Sequence, residues 1–115
     1  MSSVRLEKIG ALIKKELSVI FQRNMQVMFE GTMITVTSVR VAPDLSMTKV
    51  FLSFFPAGSS KKGLKLVEGH KSRIRKLLGD QTASQLRRIP ELVFYVDDSL
   101  DYSDEIERLL GKKKP

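Results

Sequence analysis

The spacing of the apolar residues changes near residue 31, and this change restricts the possible folds more than any other feature. Across residues 4–21 apolar side chains recur every three or four positions, which predicts an amphipathic helix. Across residues 31–55 they alternate with polar side chains, as on a half-buried strand. Pro43 and Asp44 interrupt the alternation, so we predict two antiparallel strands joined by a short polar turn. The alternation slips by one near Ser38, which indicates a β-bulge.

A second helical stretch follows the strands, and glycines interrupt it. Gly63, Gly69 and Gly79 lie within its apolar stripe, and each costs about 1 kcal/mol of helix stability relative to alanine. We therefore predict two helical pieces rather than one straight helix. Pro90 disfavours helical backbone at Ile89, so the second piece must end before that residue.

The end of the chain predicts one more strand and one more helix. Residues 91–98 alternate again, and residues 101–110 combine helical apolar spacing with acidic residues in the first turn. The predicted order is α-β-β-α-α-β-α, an α+β domain with a three-stranded sheet and helices on one face. A chain of 115 residues is one domain by length. We place the domain at residues 1–110 and a short basic tail at residues 111–115.

Positive charge is concentrated in the middle of the chain. The net charge is +7, and residues 61–88 alone carry nine Lys or Arg and two acids. Residues 89–115 carry four bases and seven acids, so the sign reverses close to Pro90. A basic element of this kind is typical of proteins that bind a polyanion, most often nucleic acid. The simpler alternative is a solvated helix face.

Catalytic and metal-binding patterns are largely missing from the sequence. There is no cysteine, hence no thiolate nucleophile and no Cys-based zinc site. The single histidine, His70, lies near an apolar helix edge and is interpreted as structural. The acidic residues of 97–105 lack the register of a calcium loop, so helix capping and a solvated turn explain them. We expect no enzyme activity, no metal and no cofactor.

Known nucleic-acid motifs are also missing. The sequence has no Walker A loop, no RNP signature and no G-x-x-G loop of a standard KH domain. Aromatic residues in the strands are therefore interpreted mostly as core: Phe51, Phe54, Phe55, Phe94 and Tyr95. The first residues have no continuous apolar stretch and no run approaches 18 apolar residues, so we expect a soluble cytoplasmic protein that binds no membrane.

Several separate stretches resemble the bacterial ribosome-binding factor A family across residues 4–110. The first helix resembles it at Arg5, Ile9 and Ile13, and residues 35–53 resemble its strand-turn-strand. The most specific match is the string P-E-L-x-F-x-x-D-x-S at residues 90–99, which follows the helical segment "IRKLLG". Family members commonly carry Ala-x-Gly at a helix kink, where this chain has His-Lys-Ser.

The resemblance implies a fold and a function. The fold would be a KH-like domain of type II with a kinked helix pair and no G-x-x-G loop. The function would be that of a non-catalytic biogenesis factor that binds the immature small (30S) ribosomal subunit and its precursor 16S rRNA. Such a factor supports late assembly and rRNA end maturation and matters most in the cold. It would act as a monomer, together with an assembly GTPase on the same particle.

Combining the charge pattern with this resemblance, we predict that a set of basic side chains contacts rRNA phosphates. They are Lys71, Arg73, Arg75, Lys76, Arg87, Arg88, Lys8 and Lys15. RNA shape rather than base edges would set specificity. Three other functions stay open at this point: a general RNA-binding regulator or RNA chaperone, a protein-binding module, and a metal-dependent nuclease that uses the acidic turn.

Overall fold

Residues 2–97, the part of the chain that the computed structural model describes, form four helices and three strands. The elements are α1 (Ser2–Arg23), α2 (Met25–Phe29), β1 (Met33–Val41), β2 (Met47–Phe55), α3 (Ser60–Gly69), α4 (Lys71–Thr82) and β3 (Glu91–Val96). The predicted α+β order is confirmed through β3, with α2 as an addition. The predicted last helix lies outside the described residues.

The short helix α2 was not predicted, because its five residues are too few to show a helical period. Asn24 separates it from α1 and donates its side-chain amide to the carbonyl of Ile20 at 2.7 Å. Met28 and Phe29 are buried and so extend the core beyond the apolar stripe of α1.

The three strands form one sheet in the order β1-β2-β3. β1 and β2 are antiparallel, as predicted, and their register shifts between Val36 and Ser38, which confirms the bulge. β3 lies parallel to β2, with Leu92 opposite Thr48 and Val96 opposite Leu52. The parallel pairing requires a crossover, which α3 and α4 supply.

The turn between β1 and β2 is closed by local hydrogen bonds. Leu45 adopts a left-handed φ of 62° and donates its backbone N–H to the carbonyl of Ala42. The backbone N–H and the hydroxyl of Ser46 both donate to Oδ1 of Asp44, at 3.1 and 2.7 Å. These bonds explain why Pro43-Asp44 marks a turn rather than the end of the sheet.

The helices cover one face of the sheet and form the core there. Val50, Leu52 and Phe54 of β2 are buried on this face, as the alternation predicted. The largest fully buried side chains come from this face and from all four helices: Phe21, Phe29, Ile13, Leu17, Ile20, Leu52, Ile74, Leu78, Leu92, Val50, Val67 and Thr48.

The strand aromatics divide between the two faces of the sheet, so the interpretation that most of them are core is only partly right. Phe54 and Phe94 are buried. Phe51 and Tyr95 stack on the opposite face with ring centroids 5.3 Å apart. Phe55 lies on that opposite face as well and is 65% exposed.

The predicted division of the second helical stretch is confirmed, and the break between α3 and α4 lies at His70. Its backbone (φ −108°, ψ 16°) leaves the helical region, while its N–H donates to the carbonyls of Leu66 and Val67. The imidazole Nδ1 lies 2.9 Å from the Leu66 carbonyl and the ring meets Phe29 edge-on. His70 is therefore a packed part of the break. The break forms although Ser72 occupies the position where family members commonly carry glycine.

The three glycines of this stretch have different surroundings. Gly69 lies beside the break and has no atom within 4 Å of the place where a Cβ would be. Gly63 is buried inside α3 and faces the ring of Phe54, where a Cβ would lie 2.7 Å from Cε1. Gly63 therefore serves the close packing of α3 on β2 and does not break the helix.

Helix α4 ends at Thr82, six residues before the limit set by Pro90. The hydroxyl of Thr82 donates to the carbonyl of Leu78, and its own carbonyl accepts from Gln85 and Leu86. Residues 83–90 therefore form a turn-containing connection to β3. None of the helices within residues 2–97 is long and apolar enough to cross a membrane.

Candidate nucleic-acid interface

An open surface depression lies between the outer face of α4 and the connection from α4 to β3. We call it the basic depression; its lining residues are Lys71, Ser72, Arg75, Lys76, Arg88, Ile89 and Glu91. Four of these seven side chains are cations and one is a carboxylate. The structure thus brings together cations that are up to 17 residues apart in the sequence.

The helical period of α4 places its cations in this depression. Ile74 and Leu78 are buried against the core, so Arg75 and Lys76 on the other side of the helix are exposed. Lys71 is the first residue after the helix break, and its Nζ lies 6.0 Å from the ring centroid of Phe94, within cation–π range.

Arg75 joins α4 to the connection that follows it. Its Nη2 donates to the carbonyl of Ile89 at 2.7 Å and approaches that of Pro90 at 3.4 Å. A guanidinium has five N–H donors, so several remain for an anionic ligand. Arg75 therefore fixes one wall of the basic depression and can still contribute to binding. Sequence reasoning missed this bracing role because the contact spans 14 residues.

Lys76 has a weak partner in its own helix. Its Nζ lies 3.7 Å from Oδ2 of Asp80, and the two side chains are 77% and 68% exposed. An exposed pair of this kind contributes a few tenths of a kcal/mol. A phosphate can therefore replace Asp80 at little cost.

A second groove adjoins the basic depression and shares Arg88 and Ile89 with it. It runs between the start of α1, the β1–β2 turn and the α4–β3 connection, and it also contains Arg5 and Arg87. Asp44 lies in the same groove. The Ser46 hydroxyl, followed by the Ser46 backbone N–H, lowers the pKa of this carboxyl by hydrogen bonding to the charged form. The groove therefore presents cations of α1 and the connection next to one ionised carboxylate.

The predicted basic residues do not all share one surface. Lys71, Arg75, Lys76 and Arg88 line the basic depression, and Arg87 lies in the adjoining groove. The other three predicted residues line neither surface, although each is exposed: Arg73, Lys8 and Lys15.

Among the lining residues that were not predicted contacts are two charged ones from the starts of α1 and β3. Arg5 reaches the groove and Glu91 lines the depression. Arg5 lies near the start of α1 and Glu91 is the first residue of β3, so only the tertiary fold brings them to these surfaces. No local sequence signal identifies either of them.

Metal chemistry has no support in the described part of the chain. Within residues 2–97 no group of three or more His, Asp or Glu side chains is placed to hold a metal ion. Apart from Asp97, the acidic residues considered for a cation site lie outside the described residues.

The mixed three-stranded sheet, the broken helix pair and the basic depression together define a class of protein, a KH-like α+β domain. It lacks the G-x-x-G loop with which standard KH domains clamp a nucleic-acid backbone. The sequence profile described as "Ribosome-binding factor A" matches residues 5–110. The chain belongs to the ribosome-binding factor A family.

Two relatives show how far the sequence similarity extends. Ribosome-binding factor A of Cytophaga hutchinsonii is 40% identical over 112 residues, which cover 97% of this chain and 84% of the relative. The Christiangramia forsetii protein of the same name is 41% identical over 113 residues, covering 96% and 86%. The family resemblance of residues 4–110 is thus confirmed.

Solved structures show the same fold at lower sequence identity. The crystal structure of ribosome-binding factor A from Thermus thermophilus matches with a TM-score of 0.66 at 22% identity, covering 79% of this chain and 94% of that one. A homology model of the T. thermophilus protein, fitted into the cryo-EM map of a 30S–RbfA complex, matches with a TM-score of 0.59 at 23% identity. It covers 77% of this chain and 91% of that one.

Proposed function

We propose that this protein binds the small ribosomal subunit through phosphates of its 16S rRNA, with the basic depression as the principal contact surface. The observation that carries the proposal is the convergence of Lys71, Arg75, Lys76 and Arg88 on one open surface. Family membership supports the ribosomal target, and the T. thermophilus relative has been fitted into a 30S complex.

The geometry suits phosphates better than base edges. The depression is open, its cations are largely exposed, and two of the four are arginines, which can bind phosphate oxygens with two parallel hydrogen bonds. Bracing by the Ile89 carbonyl holds Arg75 in place before RNA arrives, which lowers the ordering cost of binding. Specificity would then follow from the arrangement of phosphates in folded rRNA.

The number of cations sets the expected salt dependence. Four phosphate contacts correspond to a slope of about −2.8 to −3.6 in a plot of log affinity against log salt. Affinity should therefore fall by about 50- to 150-fold between 50 and 200 mM salt. Contacts by Arg87 and Arg5 in the adjoining groove would steepen this dependence further.

Binding, rather than bond chemistry, would be the means of action. In this proposal the protein acts as a cytoplasmic monomer without a cofactor, beside an assembly GTPase on the same particle. It supports late subunit assembly and leaves cleavage of the 16S rRNA ends to nucleases. The requirement is greatest in the cold, when misfolded RNA helices escape slowly. Residues 1–110 form the binding domain and the basic tail of residues 111–115 adds to its charge.

A matched pair of double variants tests the surface. Lys71→Gln with Arg88→Gln removes two cations from the basic depression, whereas Lys61→Gln with Lys65→Gln removes two exposed cations of α3. Affinity for purified small subunits is measured at several salt concentrations, and circular dichroism verifies folding. The first pair should reduce the salt slope by about 2, and the second should leave it nearly unchanged.

Equal reductions of the salt slope in the two double variants would refute the basic depression as a defined contact surface. Sucrose-gradient fractionation of cell lysate separates the assembly function from general RNA binding. The wild-type protein should sediment with free small subunits. Sedimentation with polysomes, or with RNA of all sizes, would favour the general RNA-binding regulator instead.

A further inference from the structure

The adjoining groove differs from the basic depression by having a carboxylate and an apolar floor. It encloses about 730 Å³, within the range of roughly 300 to 1,000 Å³ that is typical of small-molecule sites. Ile9, Leu86 and Ile89 are partly buried and pack against the core, so they form the floor. The charged lining residues are Arg5, Arg87, Arg88 and Asp44. Phosphates need neither a carboxylate nor an apolar floor, so this groove suits a different chemical group.

The opposite charges of the adjoining groove do not neutralise each other. Within residues 2–97 neither Asp44 nor any of the three arginines forms an ion pair, and none of these arginine side chains donates a hydrogen bond. Glu91, the carboxylate that follows the connection, lines the basic depression instead. The four charged side chains of the groove are exposed. Groups of both signs are thus available to one ligand.

The carboxylate of Asp44 is held in place while part of it stays available. Both hydrogen bonds from Ser46 end on Oδ1. The N–H of Glu91 donates to the carbonyl of Ser46 at 3.1 Å, which ties the turn to the start of β3. A carboxylate has about four acceptor sites, so Oδ2 remains for a ligand. An acceptor positioned in advance loses little freedom when a ligand binds.

An RNA base that lies in the adjoining groove must match an acceptor and several donors at once. Guanine presents the donors N1–H and N2–H on one edge and the acceptors O6 and N7 on the next. A carboxylate matches the donors, and an arginine can bind O6 and N7 with two hydrogen bonds. Adenine and cytosine place an acceptor nitrogen beside their amino group, and uracil places N3–H between two carbonyls, so each repels a carboxylate in part. Guanine therefore matches these charges better than the other three bases.

We propose that the adjoining groove binds an unpaired guanine of the RNA whose phosphates occupy the basic depression. Asp44 accepts hydrogen bonds from the N1–H and N2–H groups, an arginine of the groove donates to O6 and N7, and the base plane lies on the apolar floor. Arg88 and Ile89 line both surfaces, so one RNA strand can reach both. This continuity favours RNA over a protein segment as the occupant.

The inference rests on the proposed binding of RNA phosphates by the basic depression and adds base selectivity to it. Phosphate contacts position a nucleic acid but carry no sequence information, whereas contacts to base edges do. Sequence-specific recognition of RNA usually takes unpaired bases that are splayed out of the helix, which an open groove can accept. The two surfaces would thus divide the work, the depression supplying affinity and the adjoining groove selecting the base.

Short oligoribonucleotides that differ at a single position test the proposal on the full chain. That position carries guanine, adenine, cytosine or uracil, and the rest of each oligomer is uridine. Fluorescence anisotropy measures the affinities, and NMR spectra of the backbone amides locate the contacts. The guanine oligomer should bind about 5- to 10-fold more tightly than the other three. It should also shift the amides of Asp44, Leu45 and Arg87, which lie in the adjoining groove.

Asp44→Asn should remove the preference for guanine without opening the turn. Asparagine keeps an oxygen for the bonds from Ser46 but replaces Oδ2 by an amide group that only donates. Affinity for the guanine oligomer should fall to that for the uridine oligomer. Asp80→Asn is the matched control, because it makes the same charge change at an exposed carboxylate of α4 that lines neither surface. It should leave the guanine preference intact, and circular dichroism verifies the folding of both variants.

Three results would overturn the proposal. The four oligomers could bind the wild-type protein equally well, with amide shifts confined to the basic depression. The guanine preference could persist in Asp44→Asn. Protein extracted from small subunits could shift the Asp44 amide when no oligomer does, which would identify a protein segment as the occupant. Each result is compatible with salt-dependent binding of whole small subunits, so failure of the base site is distinguishable from failure of the phosphate surface.

Discussion

Replacing Gly63 by alanine should destabilise the protein, although alanine is the better helix former. Gly63 lies in α3 against the ring of Phe54, which is only 9% exposed. An added Cβ would lie 2.7 Å from Cε1 and 3.0 Å from Cγ of that ring. Normal van der Waals contact begins at about 3.5 Å, so either the ring or the helix must move.

The size of the effect follows from comparison with a second glycine in the same helix. Overpacking a core position costs about 1 to 3 kcal/mol. The change from glycine to alanine inside a helix stabilises the helix by up to about 1 kcal/mol. Gly69→Ala should gain helix stability without any overpacking cost, because no atom lies within 4 Å of its Cβ position. The two variants should therefore differ by about 2 kcal/mol, with G69A the more stable.

Urea and thermal unfolding followed by circular dichroism measure this difference. For a domain of this size a difference of about 2 kcal/mol corresponds to roughly 8 to 16 °C in Tm. Gly79→Ala is a further control, since its Cβ would make an ordinary contact of 3.6 Å with Ile89. Equal stability of G63A and G69A would show that α3 does not pack on β2 as closely as described.

Three further changes test individual contacts. Thr48→Val should raise the free energy of unfolding by about 1 kcal/mol, because the buried hydroxyl has no hydrogen-bond partner among residues 2–97; destabilisation in urea would contradict this. Ser46→Ala should raise the pKa of Asp44 towards its ordinary value, since the Ser46 hydroxyl is the main cause of the lowering. Because the folded pKa is the lower one, the stabilisation by Asp44 is complete above its unfolded pKa of about 3.9 and is lost as the pH falls through the folded value. A carboxyl NMR titration with an unchanged pKa would refute the assignment. Arg75→Lys keeps the charge but loses the guanidinium whose Nη2 donates to the Ile89 carbonyl, so amide exchange in residues 83–90 should accelerate; exchange as slow as in the wild type would show that the brace is unimportant.

Local patterns in the sequence predicted most of the fold. The hairpin and the bulge near Ser38 follow from alternation, which is a property of neighbouring residues. The helix break was expected from glycine content, and it occurs next to Gly69. Gly63 does not break the helix but allows α3 to pack closely on Phe54 of β2. This contact is between distant parts of the chain, so the helix sequence alone does not reveal it. The parallel pairing of β3 with β2 also joins distant parts of the chain, so local patterns did not predict it.

The basic depression was predictable only in part. Arg75 and Lys76 both belong to the predicted set and lie together on the outer side of α4, because their positions depend only on the period of that helix. Arg88 and Arg87 belong to a connection whose course depends on where α4 ends, and α4 ends earlier than the proline requires. Arg5 lines the groove because of the way α1 packs on the rest of the domain, and no pattern within α1 predicts that packing.

The length and direction of β3 determine how far apart opposite charges lie. Glu91 at its start lines the basic depression, and Asp97 just beyond its end bonds to the bulge of β1. Six residues of extended chain measure about 20 Å, roughly two Debye lengths at cellular ionic strength. The Asp97 carboxylate at the far end of this strand is therefore largely screened from the cations at its beginning, whereas Glu91 is the one carboxylate of β3 that lies beside them.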